Sequence, residues 1–398
     1  MSASESTSRR ILLVETNEDG TEGGSHRALR DLVRHLDRRR FEPEVLVYQP
    51  GRFLDLLRAD GVTVHLWDEI RADERRSMGR GTRFSRTRAL FQAILRRRRF
   101  VQTRAIALVH GNNTPGRIAD DWLPACRLAR IPCASHARAT VELGRGGPSA
   151  WLQRHLDAVV PVSDWVAMTA SRAGIPAQRI HRVHDGVDVA ALARESRRPP
   201  LEVRAELGLA PDDFVVLLAA HLRPWKGHRA ALRAVAQMPR SLLGRLRLLF
   251  AGAAPAQRPD EATRLETEIR AAGLGAVIRC LGPRDDVFDL MRASDVVLHA
   301  STEPEPFGLV VIEAMALGRP IIASRLGGPA EIVTERSGIL FDPDQPRSLA
   351  FLLTELSRHP DLTEILGKNA RARALDFDIS RTVEGVSACW GSLLGSGS

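Results

Sequence analysis

Short apolar runs alternate with amphipathic segments along this chain, and the pattern breaks off and restarts midway. Ile11 to Glu15 reads as a buried strand. Gly23-Gly24-Ser25 then opens a segment whose apolar positions Ala28, Leu29, Leu32, Val33 and Leu36 follow the helical period. Strand-like runs follow at Val45 to Tyr48, Val62 to Leu66, Ala105 to His110, Pro132 to His136 and Ala158 to Val162, with a helix near Phe53 to Ala59. Alternation of this kind specifies an α/β fold with a doubly wound parallel sheet. Binding residues are then expected at the C-terminal ends of strands.

A polar, Arg- and Pro-containing stretch, Ala191 to Pro200, reads as a linker, and the alternation resumes beyond it. Phe214 to Ala219, Leu246 to Ala251, Val277 to Leu281, Val296 to His299 and Pro320 to Ser324 are the expected strands, with a helix over Arg229 to Ala236. The 398 residues suffice for two cores. The expected organisation is a Rossmann-like domain over residues 1–190, the linker at 191–200, a second such domain over 201–375, and a C-terminal helix with a disordered tail over 376–398. The helices after Arg347, including the last around Val383 to Leu394, are expected to finish the second domain. Two such halves imply a central cleft that opens and closes by hinge motion.

No apolar run reaches the ~18–20 residues of a membrane span. Met1 to Arg10 lacks the apolar core of a secretory signal. Cys126, Cys133, Cys280 and Cys389 show no paired spacing, so reduced thiols in a cytoplasmic protein are expected. The net charge of +9 is unevenly placed. Met1 to Glu195 holds 32 Arg against 23 acidic residues, whereas the remainder balances. Arg75 to Ala119 alone contains 12 Arg and no Asp or Glu. Within it Leu90, Phe91, Ile94 and Leu95 fall at helical spacing ahead of Arg96 to Arg99. Such a helix suits an anionic membrane surface; the plainer reading packs its apolar stripe on a sheet and solvates its charges. Only Lys226 and Lys368 are lysines, a bias toward Arg that inflates the pI without explaining its confinement to one half. Few aromatic residues accompany the Arg cluster, which argues against nucleic-acid binding.

The chemistry concentrates in Glu305-Pro306-Phe307-Gly308-Leu309-Val310-Val311-Ile312-Glu313-Ala314-Met315-Ala316. An apolar helix starting near Gly308 offers free N–H groups to a phosphate. Glu305 before the helix and Glu313 two turns in can each accept from sugar hydroxyls. The same run would also serve as an ordinary helix entry. As a hydrolase pair the two carboxylates sit on backbones about 12 Å apart if both are helical, against roughly 5–9.5 Å between the carboxyls of a glycosidase pair. Lys226-Gly227 follows a predicted strand, where a Lys reaches a diphosphate as a point charge. Gly23 and Gly24 permit close backbone approach to a ligand. His136 closes a strand and reads either as a cleft residue or as a buried structural histidine. His110, Asn112 and Asn113 end a neighbouring strand and, with Arg138, are candidates for the acceptor pocket. No Asp-x-Asp stands at a strand end.

These segments, together with Val162-Ser163, Asp185-Gly186-Val187-Asp188, Trp225-Lys226-Gly227, Asp286 to Leu290, Ala293 to Asp295 and Gly327-Gly328-Pro329-Ala330-Glu331, resemble the family-4 retaining glycosyltransferases of GT-B fold over nearly the whole chain. The resemblance implies two Rossmann-like domains facing a central cleft, donor in the second and acceptor in the first. It implies that Lys226 binds the donor diphosphate, Glu305 the transferred sugar, Glu313 the ribose, and Gly282-Pro283-Arg284 the base. Phe307, Gly308 and Leu309 belong to that donor site, Gly23, Gly24 and Ser25 to a phosphate or acceptor loop, and His136 to the donor sugar. Catalysis then rests on Glu305, His136 and Lys226, with a nucleoside diphosphate sugar as substrate, a glycan or lipid-linked hydroxyl as acceptor, and neither metal nor further cofactor. His221 stands where the family usually has Arg, with Arg223 nearby as a substitute. The expectation is a cytoplasmic enzyme of cell-surface polysaccharide or glycolipid synthesis at the inner membrane face; the rival is a catalytically weak nucleotide-sugar-binding protein of the same fold.

Overall fold

The computed structural model describes residues 8–16, 23–67, 83–142, 147–255 and 257–395. Two compact units divide the chain, residues 1–185 with 379–398, and residues 186–378. In the first, β1 (Arg9–Val14), β2 (Phe41–Val47), β3 (Thr63–Leu66), β4 (Ile106–Gly111), β5 (Cys133–Ala137) and β6 (Ala158–Pro161) form a sheet in the order β3-β2-β1-β4-β5-β6. All its neighbours are parallel. In the second, β7 (Phe214–Ala219), β8 (Leu246–Ala251), β9 (Ile278–Gly282), β10 (Val296–His299), β11 (Ile321–Ser324) and β12 (Gly338–Phe341) run in the order β12-β11-β10-β7-β8-β9, again parallel. Counted from its own first strand, each sheet has the order 3-2-1-4-5-6. Its switch point lies between strands one and four, where ligands bind at the carboxyl ends.

Burial follows the apolar pattern. Ala28, Leu29, Leu32 and Val33 of the helix Gly24–His35 pack on the first sheet, together with Leu36 just beyond it. Two expectations change. The segment around 191–200 is mostly helical: Val189–Glu195 is a helix capped by Asp188, whose carboxylate accepts from Ala191 N at 2.7 Å. Pro199 then leads into a second helix, Pro200–Glu206. The last helix, Ile379–Leu393, belongs to the first unit and not the second. Its Val386 and Trp390 enter the core with Ile11, Leu13 and Leu29, and Trp390 meets Phe41 edge-on at 5.4 Å. Thr382 Oγ1 donates to His184 O at 2.9 Å, fastening the helix near its start.

The Arg-rich helix is Arg83–Thr103, while Arg75, Arg76 and Arg80 lie outside the described residues. It is buried along Ala89, Ala93, Arg97 and Val101, each four residues after the last. Arg97 lies over the rings of Trp67 and Trp122 at 5.9 and 5.7 Å. The predicted apolar stripe is instead largely outward: Leu90, Phe91 and Leu95 are 50%, 58% and 38% exposed. The four cysteines are free thiols. No helix among the described residues is long and apolar enough to cross a membrane.

Candidate functional site

In the second unit the loops after β7 and β10 meet at the switch point. The turn Pro224–Lys226 docks on the segment after β10, where Thr302 N donates to Trp225 O at 2.7 Å. Gly227 makes that approach possible. Its φ is +80°, and a Cβ there would fall 1.7 Å from Ala300 O. The Glu305 loop is held from its other side by two more glycines. Glu305 N donates to Leu326 O at 3.1 Å and Gly328 N to Glu305 O at 2.8 Å. A Cβ on Gly327 (φ +81°) would lie 2.2 Å from Glu305 O, and one on Gly328 would lie 2.4 Å from Phe307 Cα. Gly327-Gly328 therefore fixes where the Glu305 carboxylate stands.

That carboxylate receives three donors. Lys226 Nζ lies 2.6 Å from Glu305 Oε2, and Ser301 Oγ donates to the same oxygen at 3.1 Å. His299 Nε2 lies 3.3 Å from it, and Ser301 Oγ 3.2 Å from His299 Nε2. The side chains of Lys226 and Glu305 are only 18% and 13% exposed. Burial would raise the Glu305 carboxyl, but the Lys226 ammonium and the His299 contact outweigh it and hold it down to about 2. The group is thus an anion at neutral pH. Lys226 Nζ also sits 4.1 Å above the Trp225 ring. The helix Leu309–Ala316 begins directly after this loop, entered through Gly308 at φ +107°. Its first N–H groups lack intrahelical acceptors and carry the positive end of the helix dipole.

The other donor-site candidates divide. Glu313 is half-buried on that helix, and Leu309 is its first residue. Phe307 is buried, its ring packing on Phe377 at 6.1 Å, so its side chain serves the core and only its backbone belongs to the loop. Arg284 is committed to Asp286, at 2.7 and 2.6 Å, and to Glu206 at 3.2 Å. Beside the exposed Pro283, backbone rather than guanidinium is what this segment offers a base. His221 and Arg223 are exposed, and no hydrogen bond or ion pair among the described residues engages either side chain. His299 and Ser301 were not anticipated; the signal was their place at the end of β10, on the binding edge of the sheet.

The first unit collects polar groups at the same topological place. Asn112, just past β4, donates to Glu15 at 2.5 Å and to Ser25 O at 3.2 Å, linking the ends of β1 and β4 to the start of the Gly24–His35 helix. Arg138, after β5, donates to Asn112 O and Oδ1, both at 2.5 Å, and clamps Asp185 bidentately at 2.7 and 2.8 Å. Asn113 O accepts from Arg138 N at 2.9 Å. Arg138 and Asp185 are 5% and 4% exposed, an ion pair affordable because the hydrogen bonds around it are complete. Gly23 donates its N–H to His26 Nδ1 at 3.3 Å, and a Cβ at Gly23 would meet nothing within 4 Å. The fold itself therefore does not demand glycine there.

Three of the residues expected to line an acceptor pocket are structural supports instead. His110 is fully buried with both ring nitrogens engaged, Asn112 is fully buried, and Arg138 spends its guanidinium on Asp185 and Asn112. His136 is fully buried too, with Nδ1 2.7 Å from His110 Nε2. Burial, with the nearby Arg138 charge, pushes His110 down to about 3 and His136 well below the usual imidazole range. Both rings are neutral at physiological pH.

Comparison with known proteins fits this geometry. The family described as "Glycosyl transferases group 1" matches residues 201–373, and "Glycosyltransferase Family 4" matches residues 22–191. The chain is 33% identical over 257 residues to D-inositol 3-phosphate glycosyltransferase 1 of Catenulispora acidiphila, covering 60% of each chain. It is 33% identical over 214 residues to D-inositol 3-phosphate glycosyltransferase of Corynebacterium kroppenstedtii, covering 53% of this chain and 47% of the relative. The match thus spans roughly half of these curated relatives' length. Among solved structures, Anabaena Alr3699/HepE in complex with UDP-glucose superposes with a TM-score of 0.78 at 24% identity, over 96% of this chain and 99% of that one. A glycosyltransferase from Rickettsia africae ESF-5 gives 0.83 at 17% identity, over 97% and 99%. The order of the two sheets, the two family matches and these shared folds agree: the chain belongs to the family-4 glycosyltransferases of GT-B fold.

Proposed function

We propose that this chain is a retaining glycosyltransferase that moves a sugar from a nucleoside diphosphate sugar to a hydroxyl acceptor. The observation that carries the reading is the Lys226–Glu305 pair at 2.6 Å, set at a sheet switch point beside a helix start. Lys226 and the N–H groups of that helix attract the donor diphosphate, whose charge competes with Glu305 for the ammonium. Glu305, ionised and freed of part of that pairing, accepts from hydroxyls of the transferred sugar. Glu313 takes the ribose hydroxyls and the backbone at Gly282-Pro283-Arg284 the base. The bond from the anomeric carbon to the phosphate oxygen breaks, and the acceptor oxygen bonds the same face of the sugar. The departing phosphate oxygen takes the acceptor proton. Lys226 and the helix dipole supply the positive charge that the leaving group needs, so the reading requires no metal.

The acceptor belongs to the first unit, with Gly23, Gly24 and Ser25 as the loop nearest it. The open space at Gly23 supports close approach of a ligand. The Arg excess of that unit favours an anionic acceptor, and the outward Leu90, Phe91 and Leu95 favour one presented at a membrane surface. These two features support a peripheral, cytoplasmic-face role in cell-surface polysaccharide or glycolipid synthesis.

Calorimetric titration of the protein with UDP, GDP and ADP tests the donor site. One nucleotide is expected to bind, about 10–100-fold more weakly in Lys226→Ala, the range of a lost charge-assisted hydrogen bond. Binding unchanged by the substitution would remove Lys226 from the donor site. Binding without any transfer would turn the reading toward a nucleotide-sugar-binding protein.

A further inference from the structure

The second unit has a cleft of about 600 Å³, a size that suits a small molecule. Its floor is built where strands begin: Asp213 precedes β7, Arg245 precedes β8, Asp295 precedes β10, and Arg319-Pro320 precede β11. Its wall is the helix Pro360–Ala374. Lys226 and Glu305 stand past the other ends of β7 and β10, so the function proposed above makes no use of this cleft.

The charges that line it do not cancel. Each of its four carboxylates already holds a cation. Asp212 meets Arg245 at 3.2 Å, Asp213 meets Arg247 at 3.1 Å, and Glu364 meets Lys368 at 2.5 Å. Asp295 accepts from Arg204 through both oxygens at 2.8 Å and from Val215 N at 2.7 Å. Arg319 and Arg371 are left over: among the described residues neither forms an ion pair. Arg319 Nη1 donates to Ser294 O at 3.0 Å, capping the helix Val287–Ala293. That contact leaves its Nε–H buried without a hydrogen-bond partner among the described residues. A buried donor left unmet costs about 1–3 kcal/mol, and a fold that keeps one normally has a use for it. Burial pulls the Arg319 guanidinium below its usual range; Asp295 opposes this, while Arg292 and Arg204 add to it. Arg371 is exposed and makes no hydrogen bond among the described residues. Two glycines bring these arginines to one side of the cleft. A Cβ on Gly367 would fall 2.4 Å from Gly318 O, so the helix lies close against the turn before β11. A Cβ on Gly318 would meet Arg371 Cδ at 3.9 Å, which sets the Arg371 stem beside the residue preceding Arg319.

We propose that this cleft is a second ligand site, taking a small phosphate-bearing molecule whose phosphate group is held by Arg319 and Arg371. Guanidinium forks match phosphate oxygens in geometry and charge. An anion there supplies the acceptor that Arg319 Nε–H lacks and the counter-charge that both arginines lack. The site does not depend on the function proposed above.

The test is titration of the full chain with glucose 6-phosphate and with inorganic phosphate, at constant ionic strength, with chloride as control. NMR of the ¹⁵N-labelled protein follows the Arg319 Nε–H signal, identified by its loss in Arg319→Lys. The signal is expected to move saturably with phosphate and to stay still in chloride. Arg371→Gln changes an exposed side chain and should weaken binding about tenfold, the low end for a hydrogen bond to a charged group. Tighter binding of the sugar phosphate assigns the cleft to a phosphorylated metabolite, and equal binding assigns it to free phosphate. An unmoved signal, an equal shift in chloride, or undiminished binding by Arg371→Gln would overturn the site. Should Arg319→Lys not fold, the phosphate-dependent rise in Tm decides, expected to be smaller in Arg371→Gln than in the unaltered chain. The response should survive Lys226→Ala; its loss there would assign the phosphate to the donor site instead.

Discussion

Both units gather polar side chains at the carboxyl ends of strands in a six-stranded sheet with one strand order, yet they use that edge differently. In the first, Glu15, Asn112, Arg138 and Asp185 satisfy one another almost completely and join four chain segments. In the second, Lys226, Ser301 and His299 converge on one oxygen of Glu305, and glycines 227, 327 and 328 bring the loops close enough to do it. A closed network resists change and suits a scaffold. A single carboxylate held by a mobile point charge can exchange that charge for a ligand's and suits chemistry. Topology says where polar groups collect; which donors are already spent says what the place can do.

Matched substitutions break that comparison most directly. Glu305→Gln removes the negative charge while keeping size, and the transfer rate should fall about 10³-fold, the scale of a lost electrostatic contact at a reacting centre. Glu15→Gln at the corresponding place should keep the rate within tenfold and instead cost about 1–3 kcal/mol of stability as the buried amide contacts are disturbed. Steady-state rates with the sugar nucleotide selected by calorimetry, alongside denaturant midpoints, read both. A Glu305→Gln enzyme retaining a tenth of its rate would place the chemistry elsewhere.

What the sequence could reveal follows the range of the interactions involved. β7, β8 and β10 are legible to the residue because each is a short, almost wholly apolar run, broken only by Arg247 in β8 and closed by His299 in β10, and nearly all of it is buried. β12, Gly338–Phe341, is four residues long and was not anticipated. The helix Val189–Glu195 was hidden by the Arg-, Ser- and Pro-rich residues from Arg194 to Pro200, which read as a linker, although Asp188 is an N-cap signal. Lys226 and Glu305 were legible through local motifs, but their contact, 79 residues apart, was not. The home of the last helix was invisible for the same reason: its identity depends on Phe41, His110 and Val183 being near, and only the sheet order places them together. Of the two readings of the Arg-rich helix, the one that packs Leu90, Phe91 and Leu95 on a sheet fails, because Ala89 and Ala93 permit the closer approach and the larger side chains face out.

Acid should separate the two units next. His110 at about 3 and His136, also lowered, bind protons in the unfolded chain below pH ~6.5 but not in the folded one. Stability of the first unit should therefore fall as pH drops from ~6.5 toward 3, by up to about 1.4 kcal/mol per pH unit per histidine. Glu305 acts later. Its folded value of about 2 lies below the unfolded ~4.3, so its contribution is whole above pH ~4.3 and is lost only as pH falls from there toward 2. Five of the six tryptophans lie in the first unit, so intrinsic fluorescence follows that unit in denaturant titrations. A flat midpoint between pH 6.5 and 4.5 would mean the histidine row is not neutral.

The smallest effect on the fold should come from the outward stripe, and its value is that stability and binding part company there. Leu90 and Phe91 are at least half exposed, so the double change Leu90→Ser with Phe91→Ser should leave stability within about 0.5 kcal/mol for each position. Each side chain that enters a lipid interface removes apolar surface from water, worth about 1.5 kcal/mol or more when complete. Partial insertion of both should amount to about tenfold in partitioning to phosphatidylserine-containing vesicles at low salt. Neutral vesicles should bind weakly in every case, because the Arg-rich unit needs anionic headgroups to hold its apolar residues at the surface. Sedimentation with both vesicle types separates the contributions: salt should abolish the charge-dependent part, and the serine substitutions the part that survives salt. Equal binding of the serine variant would leave the stripe without a role and return the Arg-rich helix to an ordinary solvated face.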